Sequence, residues 1–212
     1  MSTHDASASL DKKQLLDKKK PLHPVIVRVT HWINALAMVV MIMSGLEIHN
    51  AYPVVPFSFP RFITLGGWLG GGIQWHFAAM WVLVINGIVY ITYGLVSGRF
   101  RRKLLPLTPA LILAEVKMAL RGKLAHEDLS IYNAIQRLLY AGVILAGILA
   151  VLSGLAIWKP VQLGWLTMLM GDFDNARIVH FAAMASIVAF LIVHVVMALL
   201  VPRSLKAMIT GD

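Results

Sequence analysis

The sequence predicts an all-α membrane protein, a four-helix transmembrane bundle with both termini on the cytoplasmic side. Three observations carry this. The 212 residues are 58% hydrophobic and 14% charged, with a mean hydropathy of +0.75, whereas a soluble domain runs near 25% charged. Four apolar stretches, about 25–48, 75–97, 136–158 and 178–201, reach the roughly 20 residues that a helix needs to cross a bilayer. The cationic residues alternate between the two sides of these stretches. Six precede or open the first span, eight lie between the second and third, and two follow the fourth, while the other side holds only Arg61, Lys159 and Arg177. The positive-inside rule then sets the orientation.

The same placement makes the net charge of +9 a topology signal, and no nucleic-acid partner is expected. The absence of cysteine excludes disulfides, iron–sulfur clusters, zinc–thiolate sites and covalently attached haem. The chain divides into a polar, lysine-rich cytoplasmic tail (1–23), the bundle (24–202) and a short cytoplasmic tail (203–212). The N-terminal tail lacks the short apolar core and cleavage site of a signal peptide. Between the second and third spans, Thr108-Pro109 reads as a helix start. The mixed apolar and charged segment to Arg121 reads as an interfacial helix. The outer loops, 49–74 and 159–177, are rich in Pro, Gly and Trp, and Trp68, Trp75, Trp158 and Trp165 suit an interfacial belt. No convincing internal repeat or low-complexity tract stands out.

Four of the eight histidines lie in or at the ends of spans: His31, His76, His180 and His194. Ionisable residues are costly in a membrane and point to function. His180 and His194 are 14 residues apart, about 21 Å of helix and close to whole turns, so both face one side at opposite ends. Sorted by depth, His31 goes with His194 toward the cytoplasm and His76 with His180 toward the outside. Two imidazoles per level suit the two axial positions of a haem iron. Zinc wants three or four ligands, and no carboxylate or thiol joins either pair. His4, His23, His49 and His126 fit neither level; His23 and His49 are expected at the membrane faces, in contact with water.

The glycines fit the same pattern. Gly45 follows His31 by 14 residues and falls at the outer level, while Gly87 and Gly94 follow His76 by 11 and 18, with Gly94 at the inner level. A missing side chain leaves room for a macrocycle, although small residues also aid helix packing. Gly142, Gly147 and Gly154 are on the third span. Arg28 and Arg177 each stand three residues before a histidine of the set. Either reads as a partner for a haem propionate or as an interfacial anchor.

With these residues on the page, the chain resembles the four-helix, two-haem membrane cytochrome b family, the cytochrome b subunits of nickel–iron hydrogenase, formate dehydrogenase and thiosulfate reductase. The resemblance rests on His31 within Thr30-His31-Trp32-Ile33-Asn34, His76 within Trp75-His76-Phe77, the His180/His194 pair, and Asn86-Gly87 through Tyr93-Gly94-Leu95. It covers roughly residues 22–202. It implies non-covalent haem b at both levels, with electrons passing between a periplasmic redox subunit, often a molybdenum enzyme, and membrane quinone near the inner haem. It also implies residence in the bacterial inner membrane. Two imidazoles on each iron leave no open position, which suits electron transfer. Other readings are a stand-alone oxidoreductase passing electrons between superoxide or another external acceptor and quinone, a metal-ion transporter, and a plain anchor. The transporter reading lacks a path of acids, since Glu47 is the one carboxylate within a proposed span.

Overall fold

The computed structural model describes residues 23–104 and 134–211. The expected interfacial helix near Thr108 and most of the lysine-rich tail lie outside the described residues. Those described form seven α-helices and one 3-10 turn, without strands. Four helices are long and apolar enough to cross a membrane: α1 (Val25–Ala51), α2 (Leu69–Val96), α4 (Ala134–Trp158) and α6 (Phe173–Leu200). The short ones are α3 (Arg99–Leu104), α5 (Gly164–Leu169) and α7 (Pro202–Thr210).

Helices α2 and α6 begin several residues before the predicted spans. Asp172 explains the second case: its carboxylate accepts from the Asn175 amide at 2.7 Å and caps a polar first turn. In α2 the glycines predicted as loop are helical and buried. A Cβ on Gly72 would lie 3.1 Å from the Glu47 Cγ of α1, so the bare backbone lets the helices close together. The 203–212 segment, predicted as a tail, is the helix α7. Pro202 starts it and Gly211, at φ +99°, ends it. Arg28 donates to the Ile209 carbonyl, and Trp32 Nε1 donates to that of Met208 at 3.3 Å. These α1 side chains thereby satisfy carbonyls that the last turn of α7 leaves unpaired.

The chain runs up, down, up and down, taking the end where α1 starts as the lower end. Backbones pack closely within two hairpins, α1 with α2 and α4 with α6, and only slightly between them. Most large apolar side chains face outward, as lipid contact requires, and the buried positions favour small residues such as Ala37, Ser44, Ala79, Ser153 and Ala183. Trp68, Trp75, Trp158 and Trp165 are exposed around the upper end. Asn86 ties the first hairpin in its lower half. Its amide donates to the Thr30 carbonyl at 2.8 Å and to the Asn34 side chain at 2.6 Å.

Replacing Asn86 by Leu should cost about 1 kcal/mol of stability, the scale of a buried polar link between membrane helices. A lower melting temperature in detergent would register it; unchanged melting would remove Asn86 as a tie.

Candidate functional site

The four expected histidines meet as two pairs across the gap between the hairpins. At the lower level, the rings of His31 on α1 and His194 on α6 have centroids 5.9 Å apart at an interplanar angle of 61°. At the upper level, those of His76 on α2 and His180 on α6 are 6.2 Å apart at 68°. A metal held between two imidazoles by bonds of about 2 Å needs ring centroids about 6 Å apart. Both pairs meet that spacing. No cluster of three or more His, Cys, Asp or Glu capable of holding a metal occurs among the described residues, so the donor set is the imidazole pair.

Serines set the upper pair. The Ser44 hydroxyl donates back to the Val40 carbonyl at 2.6 Å, and the Ser153 hydroxyl to that of Leu149 at 2.7 Å. With its proton so used, each hydroxyl accepts from an imidazole, His76 Nδ1–H at 3.0 Å and His180 Nδ1–H at 3.1 Å. His180 Nδ1 also lies 2.9 Å from the Ala150 carbonyl, which can only accept. The proton is therefore on Nδ1 in both rings, and the Nε2 lone pair is left for a metal. The next residue in each case is a glycine. A Cβ at Gly45 would lie 3.4 Å from His76 Cε1, and one at Gly154 would lie 3.2 Å from His180 Cε1. Gly45 thus makes room for an imidazole. Gly87 has open space beside it.

The lower pair is held by rings. His194 stacks on Phe190 at 5.5 Å and 16°, with Tyr140 at 6.5 Å, and His31 meets Trp32 edge-on at 5.4 Å.

Three expectations change. Gly94 does not face the inner histidines. A Cβ there would meet the Phe100 ring of α3 at 2.4 Å, so its bareness serves that ring, which also packs on Tyr90. Arg177 is engaged locally: it pairs with Asp174 at 3.1 Å, donates to the Tyr52 carbonyl and lies 3.9 Å over the Tyr52 ring. His49, expected in contact with water, is buried. Arg28 keeps a buried Nε with no hydrogen-bond partner, one turn below His31.

Sequence reasoning missed Ser44 and Ser153, and the signal was an internal repeat after all. Residues 76–80 and 180–184 both read His-Phe-Ala-Ala-Met, and Ser-Gly-Leu occurs at 44–46 and 153–155, each with Ile two residues on. The second hairpin therefore echoes the first, α4 echoing α1 and α6 echoing α2. The contacts repeat with the residues. Ser44 and Gly45 meet His76 as Ser153 and Gly154 meet His180. Phe77 packs on Trp158 at 5.0 Å, as Phe181 packs on His49 at 5.1 Å. The spacing that relates the two serines carries His31 to Tyr140, and the spacing that relates His76 to His180 carries Tyr90 to His194.

Residues 22–211 match the family described as prokaryotic cytochrome b561. A protein of Azospira oryzae named as a protein-methionine-sulfoxide reductase subunit, YedZ1, is 52% identical over 90% of this chain and 96% of its own length. Cytochrome subunits of B type, named for Ni/Fe-hydrogenase, are 26% identical in Cupriavidus necator and 25% in Azotobacter vinelandii, over about four-fifths of this chain and three-quarters of theirs. The chain belongs to the prokaryotic cytochrome b561 family. It is a multi-pass bacterial membrane protein of the b-type cytochrome class, which carries electrons through haem b.

Ser153→Ala should leave the protein folded and pigmented but alter the signal of its haem b, with a broadened reduced spectrum and a shifted midpoint potential, if the His180 ring that loses a partner serves the haem. Gly154→Val should go further and deplete that haem, since the new side chain needs space that the ring holds. Unaltered haem content and spectrum in both variants would refute the serine–glycine cradle.

Proposed function

We propose that the chain holds two haem b groups, one between His31 and His194 and the other between His76 and His180, and that it connects the quinone pool to a redox subunit outside the membrane. The observation that carries this is the pair of facing imidazoles at each level, 5.9 and 6.2 Å between centroids. The charge asymmetry supports an orientation with both termini cytoplasmic in the inner membrane, His31 and His194 near the cytoplasm and His76 and His180 near the periplasm.

Haem b, when bound, supplies a one-electron iron couple at each level. The residues do the rest. The four imidazoles would hold the two groups, a pair for each, and would leave no room for other ligands. Ser44, Ser153 and the Ala150 carbonyl hold Nδ1–H of the upper pair, fixing ring orientation and donor strength. The small buried residues keep water out of the bundle. Arg28, with its unpartnered Nε, is poised for a propionate at the lower level, while Arg177 at the upper level is already paired with Asp174.

The Azospira relative's name supports a partner that reduces methionine sulfoxide. That reaction takes two electrons and two protons per sulfoxide and releases water. One quinol supplies the two electrons, so flow would run from quinol at the cytoplasmic-side pair to the partner at the periplasmic-side pair; the quinol's protons leave where it is oxidised, and the two protons of the sulfoxide reaction come from the water around the partner. The hydrogenase-type relatives support the same arrangement of a membrane cytochrome with an external redox subunit. In the sulfoxide reading the partner would be of the molybdenum-enzyme class that the resemblance implies.

Purified protein should give a reduced-minus-oxidised spectrum of two low-spin b haems per chain, reducible by a quinol. His180→Ala removes one imidazole of the upper pair, and should lose one haem and keep the other. A colourless folded protein would defeat the proposal, and equal loss of both haems would defeat the pairing.

A further inference from the structure

One buried polar group has no use in the mechanism above. His49 lies one turn above Gly45 on α1, on the face that meets His76. It is 6% exposed. Its ring sits among Phe57, Phe59 and Phe181, at 6.2, 5.1 and 5.1 Å between centroids, and Phe181 directly follows His180. The Val55 amide donates to Nε2 at 3.3 Å, so the proton of the neutral ring is on Nδ1. That Nδ1 is buried and makes no hydrogen bond. A buried donor without an acceptor is a standing cost that native structures seldom carry.

The repeat supplies a control. The counterpart of His49 is Trp158, which packs on Phe77 at nearly the distance that His49 keeps from Phe181. Packing asks only for an aromatic ring at this place. The imidazole adds a donor that packing does not need. The surroundings are built rather than loose: Asn50 closes the loop over the ring, accepting from the Phe59 amide at 2.7 Å and donating to the Phe59 carbonyl at 2.8 Å. On the facing helix Arg177, one turn above Phe181, is paired with Asp174 at 3.1 Å, so no free charge answers the imidazole from that side. Glu47 is turned toward Gly72 of α2. A buried N–H short of an acceptor suits an oxygen that can only accept, such as that of a carboxylate.

We propose that His49 Nδ1–H binds a carboxylate of the haem held by His76 and His180. This rests on the upper haem of the reading above and adds a residue to it.

The test uses the holoprotein in detergent. His49→Phe keeps an aromatic ring and removes the donor, whereas His49→Gln restores an N–H. The readouts are the carboxylate bands of the redox-difference infrared spectrum and the two midpoint potentials. His49→Phe should retain both haems, shift a carboxylate band, and lower the potential of only the haem that His180→Ala removes, because an unscreened carboxylate favours oxidised iron. His49→Gln should return both readouts toward wild type. Wild-type bands and potentials in His49→Phe, or equal shifts in both haems, would overturn the proposal. If His49→Phe does not fold, His49→Trp, which copies the counterpart residue, is read the same way. Failure of the underlying reading looks different: wild-type protein with fewer than two haems, or His180→Ala with undiminished haem.

Discussion

Imidazoles paired within an apolar bundle are the constraint on which the rest of this structure depends. A polar ring surrounded by hydrocarbon has to be given partners, and the protein provides them from both sides. At the upper level a serine one helix away holds Nδ1, and its own hydroxyl is satisfied by the carbonyl four residues back. The glycine beside that serine lets the ring come close. The backbones of the two hairpins stay apart, so the imidazoles face each other across a gap of the width that a shared metal needs.

The chain reaches this arrangement by using one hairpin twice. Each copy brings Ser-Gly on its first helix and His-Phe-Ala-Ala-Met on its second. The upper site is shared equally, one histidine from each copy. The lower site breaks the relation, since His31 of the first copy meets His194 of the second, and tyrosines stand at the matching positions 140 and 90. Such departures show where the two halves have taken different work. His49 opposite Trp158 is another, at the upper end.

Much of the fold was legible in the sequence. Length and hydropathy showed four helices, because lipid leaves the backbone few ways to satisfy itself. Element ends were less legible. The first turn of α6 looks like loop because it is polar, and only the Asp172 cap makes it helix. The buried glycines at the start of α2 look like turn residues until the close approach of Glu47 and Ile48 explains them. Helix α7 depends on Arg28 and Trp32, more than 170 residues away. The histidines were legible because periodicity and depth carry to the facing helix. The serines and His49 were less so, since a hydroxyl or imidazole near a membrane face has many uses and only its neighbours choose one.

By itself, then, the order of residues determined the number of membrane helices and the depth of each imidazole. Those are properties of one helix at a time, written in hydrophobicity, rise and turn per residue. Only the tertiary structure decided which nitrogen carries the proton, that Gly94 yields to Phe100, that Arg177 turns to Tyr52, and that His49 is sealed away from water. Each of these is settled by an atom on another element, at a distance that no local pattern encodes.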